Sequence, residues 1–160
     1  MQTNGRIPGN LRTEDQAQLA ELVLGRNVLQ LGCYCGRGLL AIAQHALKVW
    51  VLEDFLYPGG MDAVIRELMD NVYRNVPEEK SINLLRGDAR GWIVPVGSED
   101  IPLGEIGLVY RDANRAPKHE ESDGALAYEI MRRRGGVYAW HDEEHQLKWL
   151  KIEPVPVEVN

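Results

Sequence analysis

The sequence predicts an α/β protein: a doubly wound, mostly parallel sheet with helices on both faces and an edge strand at the C-terminal end. Three observations predict it. Strand-like and helical segments alternate along the chain without repeats or low-complexity linkers. The first strand runs straight into a glycine-rich turn and a helix, in "NVLQLGCYCGRGLLAIA" at 27–43. Two later strands, "SINLLRGDA" and "IGLVYRDA", each end on an aspartate.

Each element has its own signal. Thr13 followed by Gln16 resembles a capping box, and Ala17, Ala20, Leu22 and Val23 then give a first helix its apolar side. "NVLQLG" reads as a short buried strand, after which Leu39, Leu40, Ala43 and Leu47 recur at helical spacing. "KVWVLEDF" is the next strand. Met61, Val64, Ile65, Leu68, Met69, Val72 and Tyr73 form one helical stripe. Beyond the two aspartate-ended strands, Glu120, Glu121 and Asp123 open a helix carrying Leu126, Ala127, Ile130 and Met131. Arg132, Arg133 and Arg134 close it before Gly135 and Gly136, acid first and base last, as a helix dipole favours. "GGVYAWHDEE" is a fifth strand, and the prolines of "KWLKIEPVPVEV" confine a final extended segment to a sheet edge.

The totals bound the function. A length of 160 residues suits one domain, expected at 11–160 behind a flexible stretch at 1–10. With 44% hydrophobic and 26% charged residues the composition is that of a folded, soluble chain. No apolar run approaches the roughly 20 residues that cross a bilayer, so no membrane partner is expected. The opening residues carry no apolar secretory stretch, which predicts a cytoplasmic protein. A net charge of −6 argues against nucleic acid as a partner. Cys33 and Cys35 stand one residue apart, too close for an ordinary structural disulfide and unlike the C-x-x-C of zinc or redox sites, so both read as small turn residues.

Right-handed crossovers bring all five strand ends to one rim, where open α/β sheets bind ligands. Along that rim fall Gly32, Gly36 and Gly38 of the turn, Glu53 with Asp54, Asp88, Asp112, and His141 with Asp142. The glycines read G-x-x-x-G-x-G, unlike the G-x-G-x-x-G of dinucleotide enzymes, and no Gly-Lys-Ser/Thr closes a phosphate loop. A nicotinamide oxidoreductase therefore has little support.

In the order of these pieces the sequence resembles the class I S-adenosylmethionine-dependent methyltransferases, whose fold is Rossmann-like. "VLQLGCYCGRGLLAIA" looks like their first motif, "VWVLED" the second, "LLRGDA" the third, "IGLVYRDANR" the fourth and "GGVYAWHD" the fifth. The nearest branch is that of the small-molecule O-methyltransferases and cephalosporin-hydroxylase-like proteins, over residues 12–142. The resemblance implies a cofactor site in which Gly32, Tyr34 and Gly36 lie against the methionine part of S-adenosylmethionine. Glu53 would accept the ribose hydroxyls with Asp54 beside it, and Asp88, next to Ala89, would bond the adenine amine. Gln30 stands where the family usually has an acid that holds the cofactor's amino end, and only 18 residues follow Asp142, fewer than the family's closing helix and strands need.

In the metal-dependent branch, the matching positions Asp112, His141 and Asp142 would bind a divalent cation such as magnesium or manganese, with Asp112 and His141 also the catalytic pair. His119, after "DANRAPK", would lie in the substrate-facing loop as a further candidate base. His45 and His145 have no assigned role. The expected activity is transfer of a methyl group to an oxygen or nitrogen of a small molecule. The competing reading is a non-catalytic cofactor-binding or regulatory subunit, favoured by Gln30 and opposed by the retained acids. An apolar, weakly covered last strand further predicts a homodimer.

Overall fold

The computed structural model describes residues 7–53, 61–86, 101–112 and 117–156. Ten elements follow in chain order: α1 (Gln16–Val23), β1 (Asn27–Leu31), α2 (Arg37–Ala43), β2 (Lys48–Glu53), α3 (Met61–Asn75), β3 (Ser81–Arg86), β4 (Leu108–Arg111), α4 (Pro117–Met131), β5 (Gly136–His141) and β6 (Leu147–Ile152). The strands form one sheet in the order β3-β2-β1-β4-β5-β6, with every neighbouring pair parallel except β5 with β6. This is the doubly wound, Rossmann-like α/β fold expected. The winding order reverses between β1 and β4, and in open α/β sheets ligands bind beyond the strand ends at such a reversal.

Alternation along each strand divides the core into two. Val28, Val49, Val51, Leu108, Tyr110 and Ala139 face one way and join Leu19, Leu39, Ile42 and Leu68 of α1, α2 and α3. Leu29, Trp50, Leu52, Val109 and Tyr138 face the other and join Leu126, Ala127 and Met131 of α4. Among the described residues, no helix is long and apolar enough to cross a membrane.

Four local expectations need correction. The capping box at Thr13 does not form: Thr13–Asp15 is a 3-10 turn, no side chain caps α1, and the Thr13 hydroxyl accepts from Arg37 at 3.2 Å. Arg12 and Asp15 pair instead at 2.8 Å. Helix α2 stops at Ala43, which leaves Leu47 exposed beyond it. The stripe on α3 is narrower than its sequence suggested, with Val64 and Leu68 buried but Met69 and Tyr73 in solvent. Helix α4 ends at Met131, so the three arginines lie after it, and Asp123 is a buried partner of Arg111 rather than a solvated helix-dipole acid.

Candidate functional site

The turn between β1 and α2 is a run of left-handed backbone. Gly32, Tyr34 and Gly36 have φ of 81°, 47° and 94°. Glycine adopts these angles freely, but a tyrosine does so at a cost and needs other contacts to hold it. Glu53 supplies them. From the end of β2 its Oε1 accepts the amides of Cys33 at 3.0 Å and Tyr34 at 3.1 Å, and the residue is buried. From α3, Asn71 donates to the Cys35 carbonyl at 2.7 Å, tying down the far side of the turn. Both cysteines are free and buried, and burial pushes both thiols up, which makes them packing residues rather than nucleophiles.

A second cluster sits beside the turn, on the face of the sheet covered by α1 and α2. Register explains it. Gln30 pairs with Tyr110 across β1 and β4, and Arg111 with Trp140 across β4 and β5, so Asp112 and His141 come level one step further on. Gln30, fully buried, donates to the Gly32 carbonyl at 2.9 Å and to Asp112 Oδ2 at 3.3 Å. Gly38 of α2 makes the approach of Asp112 feasible, because a methyl group there would collide with Asp112 Oδ2 and come 3.0 Å from the Tyr110 hydroxyl. Gln30 Oε1 and Asp112 Oδ1 are buried acceptors without a hydrogen-bond partner. Burial raises the Asp112 carboxyl to about 8, with the nearby Glu53 charge adding to this and Arg37 opposing it.

His141 is fully engaged. Its Nδ1 lies 3.1 Å from the His145 carbonyl, which can only accept, so Nδ1 carries the proton. Burial lowers its pKa and favours the neutral ring, so Nε2 is an acceptor, and the Tyr110 hydroxyl donates to it at 2.6 Å. Nε2 is 3.8 Å from Asp112 Oδ1, a neighbour rather than an ion-pair partner. Asp142 belongs to the β5–β6 turn, where its Oδ1 accepts the amides of Glu144 and Gln146 at 2.9 and 2.8 Å.

Of the residues expected to hold a metal, His141 and Asp142 are therefore already bonded within the protein, and Asp112 keeps one oxygen open. Among the described residues, no three His, Cys, Asp or Glu side chains are grouped to hold an ion. The donor set does not fit a divalent cation. Asp54, Asp88 and Ala89 lie outside the described residues. His119 falls in the first turn of α4 rather than in a loop. Tyr110 and Asn71 were not singled out by sequence. Tyr110 had a legible signal, since it stands two residues before Asp112 on the same face of β4; Asn71 had none.

No family model matches the sequence, and no curated protein matches it. Solved structures do. An O-methyltransferase from Bacillus cereus, in complex with SAH, superposes with a TM-score of 0.64 at 17% identity over 84% of this chain and 59% of that one. The O-methyltransferase TomG from Streptomyces achromogenes, involved in tomaymycin synthesis and in complex with SAM, gives 0.63 at 15% identity over 81% and 56%. The fold is that of these methyltransferases. A putative transferase from Pyrococcus horikoshii gives 0.56 at 19% identity, covering 84% of this chain and 44% of that one. The chain thus spans between two fifths and two thirds of the length of such neighbours.

Proposed function

We propose that the chain is an S-adenosylmethionine-dependent methyltransferase acting on an oxygen or nitrogen of a small molecule in the cytoplasm. One observation carries the reading. Beyond the ends of β1 and β4, the left-handed turn fastened to Glu53 adjoins two buried, unpartnered acceptors, Gln30 Oε1 and Asp112 Oδ1. Buried acceptors of this kind are costly unless a donor fills them, and an ammonium group supplies donors and charge together. The residues fit the amino end of the cofactor. Gln30 contributes no charge, and its bond to Asp112 brings in a carboxyl group that an ammonium beside it would ionise, in place of an acid at position 30.

Glu53, at the end of β2 beside the turn, would accept the ribose hydroxyls, as its carboxylate offers about four acceptor sites. Gly32, Tyr34 and Gly36 would bring backbone close to the methionine part, and Asp54, Asp88 and Ala89 complete the proposed set toward the adenine. The bound cofactor supplies an electrophilic sulfonium methyl. The chain's contribution is then mostly positioning: Asp112 anchors one end, and Tyr110 and His141 fix the polar wall beside it. With the Tyr110 proton committed to His141 Nε2, that imidazole is a base for an acceptor hydroxyl only when the pair opens. No step is assigned to a metal.

The test is turnover: incubation with S-adenosylmethionine and a panel of phenols, catechols and amines, with S-adenosylhomocysteine measured by mass spectrometry. Product above the no-acceptor control supports the proposal. Binding without turnover across the panel favours the second reading, a non-catalytic cofactor-binding subunit, to which the fully engaged His141 lends support. Absence of binding rejects both.

A further inference from the structure

The hydrogen bonds of the β5–β6 hairpin reveal which backbone groups of the edge strand are open. The Asp142 amide donates to the Gln146 carbonyl at 3.0 Å, and the register continues through Trp140–Lys148 and Tyr138–Leu150. Antiparallel pairs alternate between bonded and non-bonded. Lys148, Leu150 and Ile152 therefore turn their amides and carbonyls toward β5, and Leu147, Trp149 and Lys151 turn theirs away. The outward amide of Leu147 is taken by Asp15 Oδ2 at 3.2 Å. Among the described residues, nothing pairs with the outward backbone groups of Trp149 and Lys151 at the sheet edge. Around them β6 exposes apolar side chains on both faces, Trp149 at 47% and Leu150 at 45%.

We propose that this edge pairs with β6 of a second copy of the same chain, antiparallel about a two-fold axis through Leu150. The strand's own sequence argues for that occupant and that register. With the axis at Leu150, Trp149 of each chain bonds Lys151 of the other, giving four backbone hydrogen bonds. It also sets a lysine ammonium beside an indole twice on one face and Leu150 against its twin on the other. An axis at Trp149 needs the Leu147 amide that Asp15 already holds. An axis at Lys151 sets the two Lys151 side chains against each other. Exposed lysines guard an edge against indiscriminate pairing, and here they leave one register favourable. The sheet would continue through the dimer as twelve strands, twice the six of one chain.

The test is cross-linking combined with sedimentation. In this register Leu150 and its twin form a non-bonded antiparallel pair with Cα atoms about 4.5 Å apart, within disulfide range. Position 148 and its twin are offset by four residues, about 13 Å. Leu150→Cys should give a covalent dimer with diamide as the oxidant, and Lys148→Cys should not; the native Cys33 and Cys35 are buried and do not compete. Leu150→Lys should weaken the sedimentation dimer at least about tenfold. Because these side chains are exposed, circular dichroism should show all three variants folded. Amide exchange of wild-type Trp149 and Lys151 gives a readout without substitution, and it should slow as protein concentration rises. A wild-type monomer at about 0.2 mM, a dimer that Leu150→Cys fails to cross-link, or equal cross-linking at both positions would overturn the proposal.

Discussion

Asp112 shows how much one residue's environment can decide. Its carboxyl titrates near 8 in the folded chain, against an ordinary value near 4, chiefly because it is buried. Between those values the unfolded chain has released this proton while the folded chain keeps it, so stability falls as pH rises from about 4 to about 8 and is level outside that window. The penalty at pH 8 is on the order of a few kcal/mol. Asp112→Asn should remove it, making the variant more stable than wild type at pH 8 and about equal at pH 4 in urea unfolding. A constant difference across that range would mean that Asp112 stays ionised. Glu53 makes a second prediction. Glu53→Ala strands the amides of Cys33 and Tyr34, at a cost of roughly 2–4 kcal/mol of stability, whereas Glu53→Gln keeps an oxygen to accept them and should cost under about 1 kcal/mol. Equal losses in thermal denaturation would contradict the role given to Oε1.

Among the elements, β4 and α4 are joined by an ion pair with almost no access to water, Arg111 Nε to Asp123 Oδ2 at 3.1 Å. Removing one partner leaves a buried charge, so Asp123→Ala should cost about 3–5 kcal/mol, while Arg111→Met with Asp123→Leu should recover much of that. Chemical denaturation of the single and double variants checks it, and an Asp123→Ala loss under about 1 kcal/mol would show that water reaches the pair. The glycine turn makes a different prediction. Gly36→Ala meets both a φ of 94° and Leu68 Cδ1 at 2.9 Å, so it should destabilise by about 1–2 kcal/mol or more.

These elements also show what was legible in the sequence. The strands and the mostly parallel sheet could be read because alternation, glycine spacing and terminal acids are local signals, and Glu53 and Asp112 were marked out as candidates that way. Their partners were not. That Glu53 braces the turn, that Asp123 is buried opposite Arg111, and that Tyr110 occupies His141 are contacts between segments distant in sequence, set by register and packing. Asp142 is a further case: an acid at a strand end reads as a ligand, and two amides of its own turn bond its Oδ1.

At the scale of the whole molecule, the account rests on the rim beyond β1 and β4 being a site for S-adenosylmethionine. The most direct measurement is calorimetry of the full chain with S-adenosylhomocysteine and with 5′-methylthioadenosine, which lacks the amino-acid end, for wild type, Glu53→Gln and Asp112→Asn. Wild type should bind one S-adenosylhomocysteine per chain without added metal. Glu53→Gln should weaken both ligands, and Asp112→Asn should weaken S-adenosylhomocysteine by roughly tenfold or more while leaving 5′-methylthioadenosine nearly unchanged. A folded wild-type chain that binds neither ligand at millimolar concentration, or binding that both variants leave untouched, would contradict the assignment of this rim.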